Sequence, residues 1–186
     1  MSPDREVVVF RPTLKRGLSR KAVALAGLVL AFAMLAPVGA QGKAGGTDRP
    51  VKGTASGNVA VTLGSPLRLE IDLTGVATHL GKYRAHLEGD GRIIGGQVVG
   101  DGPFTVAAAN RDQLTGTWTV TGPLPSGDVH PTTTVLTITG GTGRFADASG
   151  TITSQNLVTP TCFAGPSCPG QLLETLKGGL SGQISY

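Results

Sequence analysis

Few side chains in this sequence are suited to chemistry, and the three histidines come first. His79 and His86 are seven residues apart, so an unbroken strand with its two-residue period turns them to opposite faces and makes them a poor metal pair. A bulge at Gly81 would change that parity. Along an unbroken strand His79 shares a face with Tyr83 and Leu87, and His86 with Lys82, Arg84 and Glu88. His79 is then the inward candidate, as a hydrogen-bonded structural histidine or, with Tyr83, as a ligand-binding or acid–base group. Trp118 is a further candidate for contact with a ligand. His130 precedes Pro131 in a loop and is expected to be solvated. No nucleophile-elbow pattern supports serine hydrolase chemistry. Glycoside hydrolysis needs two carboxylates across a cleft, whereas Glu70 and Asp72 share the polar side of one strand with Arg68 and read as a solvated charged face. No metal site and no cofactor is expected.

The two cysteines, Cys162 and Cys168, stand in the stretch Pro-Thr-Cys-Phe-Ala-Gly-Pro-Ser-Cys-Pro-Gly. Zinc sites want closer pairs or accompanying histidines, and none lies nearby in sequence. In an oxidising compartment the expectation is a disulfide that pins a loop, worth about 2 kcal/mol on the chain-entropy model.

The elements that must position these residues read as strands. Leu67, Leu69, Ile71 and Leu73 alternate with Arg68, Glu70, Asp72 and Thr74, which a half-buried strand explains fully. The same period appears in Phe104 and Val106, in Leu114, Trp118 and Val120 opposite Thr115, Thr117, Thr119 and Thr121, and in Leu136 and Ile138 opposite Val135, Thr137 and Thr139. The threonine faces predict cross-strand pairing on solvated sheet. Turn signals at Gly89-Asp90-Gly91, Gly100 to Pro103, Asn110 to Asp112, Pro123 to Pro131 and Gly140 to Gly143 separate the runs, so neighbours are expected to be antiparallel. Glycines also fall inside strand-like runs, at Gly57, Gly81, Gly116, Gly150 and Gly182. Such positions permit bulges and sharp bends, the device of a strongly coiled, closed sheet. The fold class expected is all-β, a single antiparallel β-barrel.

Residues 1 to 40 have the parts of a secretory signal peptide: a basic stretch ending at Arg20-Lys21, an apolar run from Ala22 to Leu35, and a small-residue end at Val38-Gly39-Ala40. The run is 14 residues long, short of the roughly 20 that cross a bilayer core. Cleavage after Ala40 and no stable membrane insertion are expected, with the protein secreted or periplasmic. Residues 41–52 are polar and Gly-rich and read as a flexible lead-in, with one domain over 53–186. Six of the 16 Lys and Arg and two of the 12 Asp and Glu belong to the leader, which leaves ten of each in a formally neutral body. Nucleic acid is not an expected partner.

The stretch from Leu136 to Thr153, Leu-Thr-Ile-Thr-Gly-Gly-Thr-Gly-Arg-Phe-Ala-Asp-Ala-Ser-Gly-Thr-Ile-Thr, resembles a segment of the allene oxide cyclase and dirigent barrel superfamily, in which a strand ends in a Gly-Gly-Thr-Gly turn and an aromatic follows. Gly75 to Tyr83 and Ala109 to Gly116 are similar to segments of small exported bacterial proteins that carry this turn. The resemblance implies a barrel of about eight strands, whose hollow holds an apolar molecule in the cyclases and whose relatives steer coupling without an ordinary catalytic site. Gly140, Gly141, Thr142, Gly143, Phe145 and Gly150 are expected to form a structural turn: glycines supplying positive φ, Thr142 bonding its hydroxyl locally, Phe145 plugging one barrel end. A phosphate site would need a following helix, and Ala148 to Thr153 reads as strand. The polar residues of the cyclases have no match outside this turn. The expected role is therefore non-enzymatic, binding a small apolar molecule or serving a structural purpose. The alternatives are a cyclase or isomerase using His79 and Tyr83, and a surface interaction module or homo-oligomer.

Overall fold

The computed structural model of the chain describes residues 46–125 and 127–186; the predicted signal peptide, its cleavage point and residues 41–45 lie outside them. The alternating runs form eight strands: β1 (Asp48–Thr62), β2 (Leu67–Ala77), β3 (Gly81–Ile94), β4 (Gln97–Ala107), β5 (Gln113–Pro123), β6 (His130–Gly141), β7 (Ser149–Phe163) and β8 (Gln171–Ser185). Each pairs antiparallel with the next, and β8 pairs with β1, closing the barrel. Among the described residues no helix is long and apolar enough to cross a membrane. β1 begins at Asp48 rather than near Gly53, because residues 48–52 continue the β8 ladder and Val51, opposite Gly182, is buried.

Inward positions follow the sequence alternation. Leu69, Ile71, Tyr83, Leu87, Phe104, Val106, Leu114, Trp118 and Ile138 are buried, while Arg68, Glu70 and Asp72 are exposed. On the outer face Thr117 stands opposite Thr137 and Thr121 opposite Thr133. The expected irregularity occurs at Gly116, where the β5–β6 register shifts.

Glycine does more than interrupt the strands. A side chain at Gly89 would run into the Asp101 carbonyl, and one at Gly102 into the Glu88 carbonyl, so β3 and β4 approach each other at a spacing that only glycine allows. Close approaches of a glycine to a facing carbonyl, at separate register positions, recur between β1 and β2 (Gly57 and Gly75), β5 and β6 (Gly116 and Gly141), and β7 and β8 (Gly150 and Gly182). These close approaches fall in alternate strand pairs of a sheet that must coil to close on itself.

The two ends of the barrel differ. At one end the β6–β7 connection forms a 3₁₀ turn at Gly143–Phe145, and Phe145 is completely buried, packed edge-on against Tyr186 at 4.9 Å. Of the turn glycines, Gly143 and Gly150 adopt positive φ. Thr142 does not bond locally: its hydroxyl accepts from the Gln113 N–H at 2.9 Å and its own N–H donates to the Gln113 carbonyl at 2.8 Å, clamping the turn onto β5. Arg144 stacks over Phe145 and donates to the His79 carbonyl at 2.6 Å. At the other end the Cys162–Cys168 disulfide closes the β7–β8 loop, whose Gly170 carbonyl accepts from the Leu63 N–H in the β1–β2 loop.

If the glycine bends set closure, Gly102→Ala should cost about 1–3 kcal/mol in urea unfolding, the range of an overpacked site that must shift backbone. Gly179→Ala is the control, since a side chain there has room, and it should change stability by no more than about 0.5 kcal/mol. Equal effects at the two positions would remove the glycine bends from the explanation of closure.

Candidate functional site

The end carrying the disulfide opens into a cup of about 200 Å³ inside the barrel. Its wall is apolar, built from inward residues that include Val59, Leu69, Ile71, Val120, Leu172 and Leu176. Its rim carries Leu63, Ile93, Leu124 and Phe163, each more than two-fifths exposed, from four different connections. Ile94 and Val129 at the same end are also exposed. Farther in, a second space of about 40 Å³ shares Ile71, Thr134 and Leu176 with the cup and is lined by Tyr83, Phe104 and Asn156.

Polar groups occur in the cup on strands β6 and β8. His130, Thr132 and Thr134 take successive inward positions of β6, and Glu174 takes the inward position between Leu172 and Leu176 on β8. His130 and Glu174 are each only 6% exposed. The solvated loop expected for His130 is therefore corrected: β6 starts at this residue, and the outward turn falls to Pro131. His130 Nδ1 lies 3.1 Å from the Asp128 carbonyl, so that nitrogen carries a proton and donates it. In the neutral ring Nε2 is then an acceptor, and it faces Glu174 Oε1 at 3.6 Å. Two acceptors facing each other repel unless one is protonated, and at 3.6 Å they do not form a proper hydrogen bond. Glu174 Oε1 and Thr132 Oγ1 are both buried without a hydrogen-bond partner. Burial pushes the Glu174 carboxyl above its ordinary value, with the neighbouring His130 pulling the other way.

Deeper in the barrel the polar groups are satisfied. Asn156 donates to Thr134 Oγ1 at 3.2 Å and accepts from Ser154 Oγ at 2.6 Å. That belt accounts for its own polar atoms and reads as structural.

The candidates legible in the sequence stand elsewhere. His79 is not on an inward strand position: the chain turns at Thr78-His79-Leu80, His79 has φ 68°, and its ring packs against Tyr186 at the closed end. Tyr83 does face inward, but its hydroxyl donates to the Thr54 carbonyl at 2.9 Å and burial pushes its pKa up to about 12, which makes it a poor proton donor in the neutral range. Trp118 is completely buried, its Nε1–H donating to the Glu88 carbonyl at 3.2 Å, and it lines neither space. The structure does not bring these three together at the cup. His86 is an exposed partner of Asp72 at 2.8 Å on the outer face, with Glu70 alongside. Glu174 escaped the sequence reading, although a lone carboxylate at the apolar parity of Leu-Leu-Glu-Thr-Leu was the available signal.

Comparison with protein-family models, with curated proteins and with solved structures gives no match.

Glu174 makes stability depend on pH with a definite sign. A carboxyl whose folded value is raised contributes fully below its unfolded value, and the contribution is lost as pH rises through the folded one. Glu174→Gln stays neutral throughout. Its melting temperature should match wild type near pH 4 and exceed it by a margin that widens toward pH 8. A margin that narrows with rising pH would mean that the ion pair with His130 outweighs burial.

Proposed function

We propose that the protein is a carrier or receptor for a small apolar molecule held in the open end of the barrel. The observation that supports this reading is the cup itself: an apolar space of about 200 Å³ that opens through an apolar rim. Eight strands give an interior at the boundary between filling with side chains and holding one small ligand, and this chain uses both halves of that range. For scale, an engineered apolar cavity of roughly 150 Å³ stays dry and accepts benzene. The reading fits the cyclase and dirigent resemblance, in which the hollow of the barrel is the working part. It also fits export: the leader has the three parts of a secretory signal, and the disulfide suits a secreted or periplasmic location.

One observation favours a second reading, a cyclase or isomerase acting in the same space. His130 Nε2 and Glu174 Oε1 face each other there at 3.6 Å, so acid–base work would fall to this pair and not to His79 and Tyr83. Exposed apolar side chains around the mouth also leave room for a third, self-association through that end.

Toluene titrated into the protein and followed by methyl NMR separates ligand holding from self-association. Saturable shifts at Val59, Leu69, Val120, Leu172 and Leu176 are expected, and Val120→Phe should weaken them at least tenfold while leaving the remaining spectrum in place. Dose-dependent shifts confined to Ile94 and Val129, with faster relaxation at higher protein concentration, would instead support self-association.

A further inference from the structure

The cup is apolar almost everywhere, yet two of the residues that line it each carry a polar oxygen with no hydrogen-bond partner. Glu174 Oε1 and Thr132 Oγ1 are both buried and unpartnered, on two strands that each contribute to the wall. A buried polar atom left unsatisfied is costly, on the order of 1–3 kcal/mol. The neighbouring Thr134, Ser154 and Asn156 show that this chain satisfies buried polar groups where they are structural. The exception coincides with the larger of the two interior spaces described above.

The direction of the missing bonds follows from the donors and acceptors present. Thr132 supplies a hydroxyl proton. His130 Nδ1–H is committed to the Asp128 carbonyl, and Nε2 lies too far from Glu174 Oε1, at 3.6 Å, to take a carboxyl proton in a good hydrogen bond. Burial favours the neutral carboxyl, which is itself a donor. A visiting group that accepts hydrogen bonds matches this set, whereas a carboxylate ligand would bring a negative charge with no cationic partner into an apolar space.

We propose that the Glu174 carboxyl on β8, assisted by the Thr132 hydroxyl on β6, is a hydrogen-bonding subsite for the carbonyl oxygen of a small, uncharged, otherwise apolar ketone or aldehyde. The proposal rests on the reading of the barrel as a ligand holder and adds the chemical class of the ligand. The carbonyl end points to the polar wall, and the hydrocarbon remainder lies along Val59, Leu69, Val120 and Leu176 toward the mouth. Glu174 is then a specificity determinant, and the unpaired oxygens are completed by the ligand.

Acetophenone and α-methylstyrene have nearly the same shape, with C=O in one replaced by C=CH2 in the other, and they make the test. At pH 6 wild type should bind acetophenone about tenfold more tightly than α-methylstyrene, the worth of one net hydrogen bond plus relief of an unpaired donor. The carbonyl stretch of bound acetophenone should move to lower wavenumber. Glu174→Leu should erase both the preference and the infrared shift while still binding α-methylstyrene, and Thr132→Val, which keeps shape, should reduce the preference in part. Equal affinity for the two probes in wild type, or a preference that survives both substitutions, overturns the subsite and leaves the ligand-holding barrel standing. Failure of wild type to bind either probe overturns both.

Discussion

Close approach between paired strands is the constraint on which the rest of this structure depends. An eight-stranded sheet closes only if it coils sharply, and here a side chain at Gly89 or Gly102 would collide with the facing backbone carbonyl. Close approaches of this kind recur between β1 and β2, β5 and β6, and β7 and β8. Glycine at these positions also supplies no side chain to fill the interior.

Where the interior is filled, it is filled from the other end. Phe145, Tyr186, Leu80 and Ala148 cap the barrel beneath a turn that Thr142 clamps onto β5 and that Arg144 ties to the His79 carbonyl. Trp118 and Phe104 pack the middle. Beyond the hydrogen-bonded belt of Thr134, Ser154 and Asn156 the packing stops, and the cup begins. The disulfide and the bond from Leu63 to the Gly170 carbonyl hold the rim in shape around an opening. The asymmetry gives the molecule one rigid, polar-decorated end and one open, apolar end.

Much of the frame was legible in the sequence because its signals are local. Leu67 to Thr74 alternates without exception, since one face is buried along the whole of β2. Glycines inside strand-like runs announced a coiled sheet, and the lone cysteine pair announced its own bridge. The site was less legible because its signals depend on parity at strand ends. His130 next to Pro131 reads as loop, yet it starts β6 with its ring inward. Glu174 follows two leucines, so the alternation around it is ambiguous until β8 is seen to bury Leu172 and Leu176 and leave Leu173 half-exposed. His79 is the opposite case: it shares a face with Tyr83 only along an unbroken strand, and the chain turns at Thr78-His79-Leu80 through a non-glycine residue with positive φ. Nothing in composition distinguishes such a residue from one in a continuous strand.

The central claim is that the open half of the barrel exists to hold a small apolar molecule. Native mass spectrometry of the protein purified gently from its own host addresses it most directly. The account predicts a population heavier than the disulfide-bonded polypeptide by one small organic molecule, which leaves on mild collisional activation and is recovered in the apolar extract. A bare polypeptide at every activation energy, with no such molecule in the extract, would contradict it.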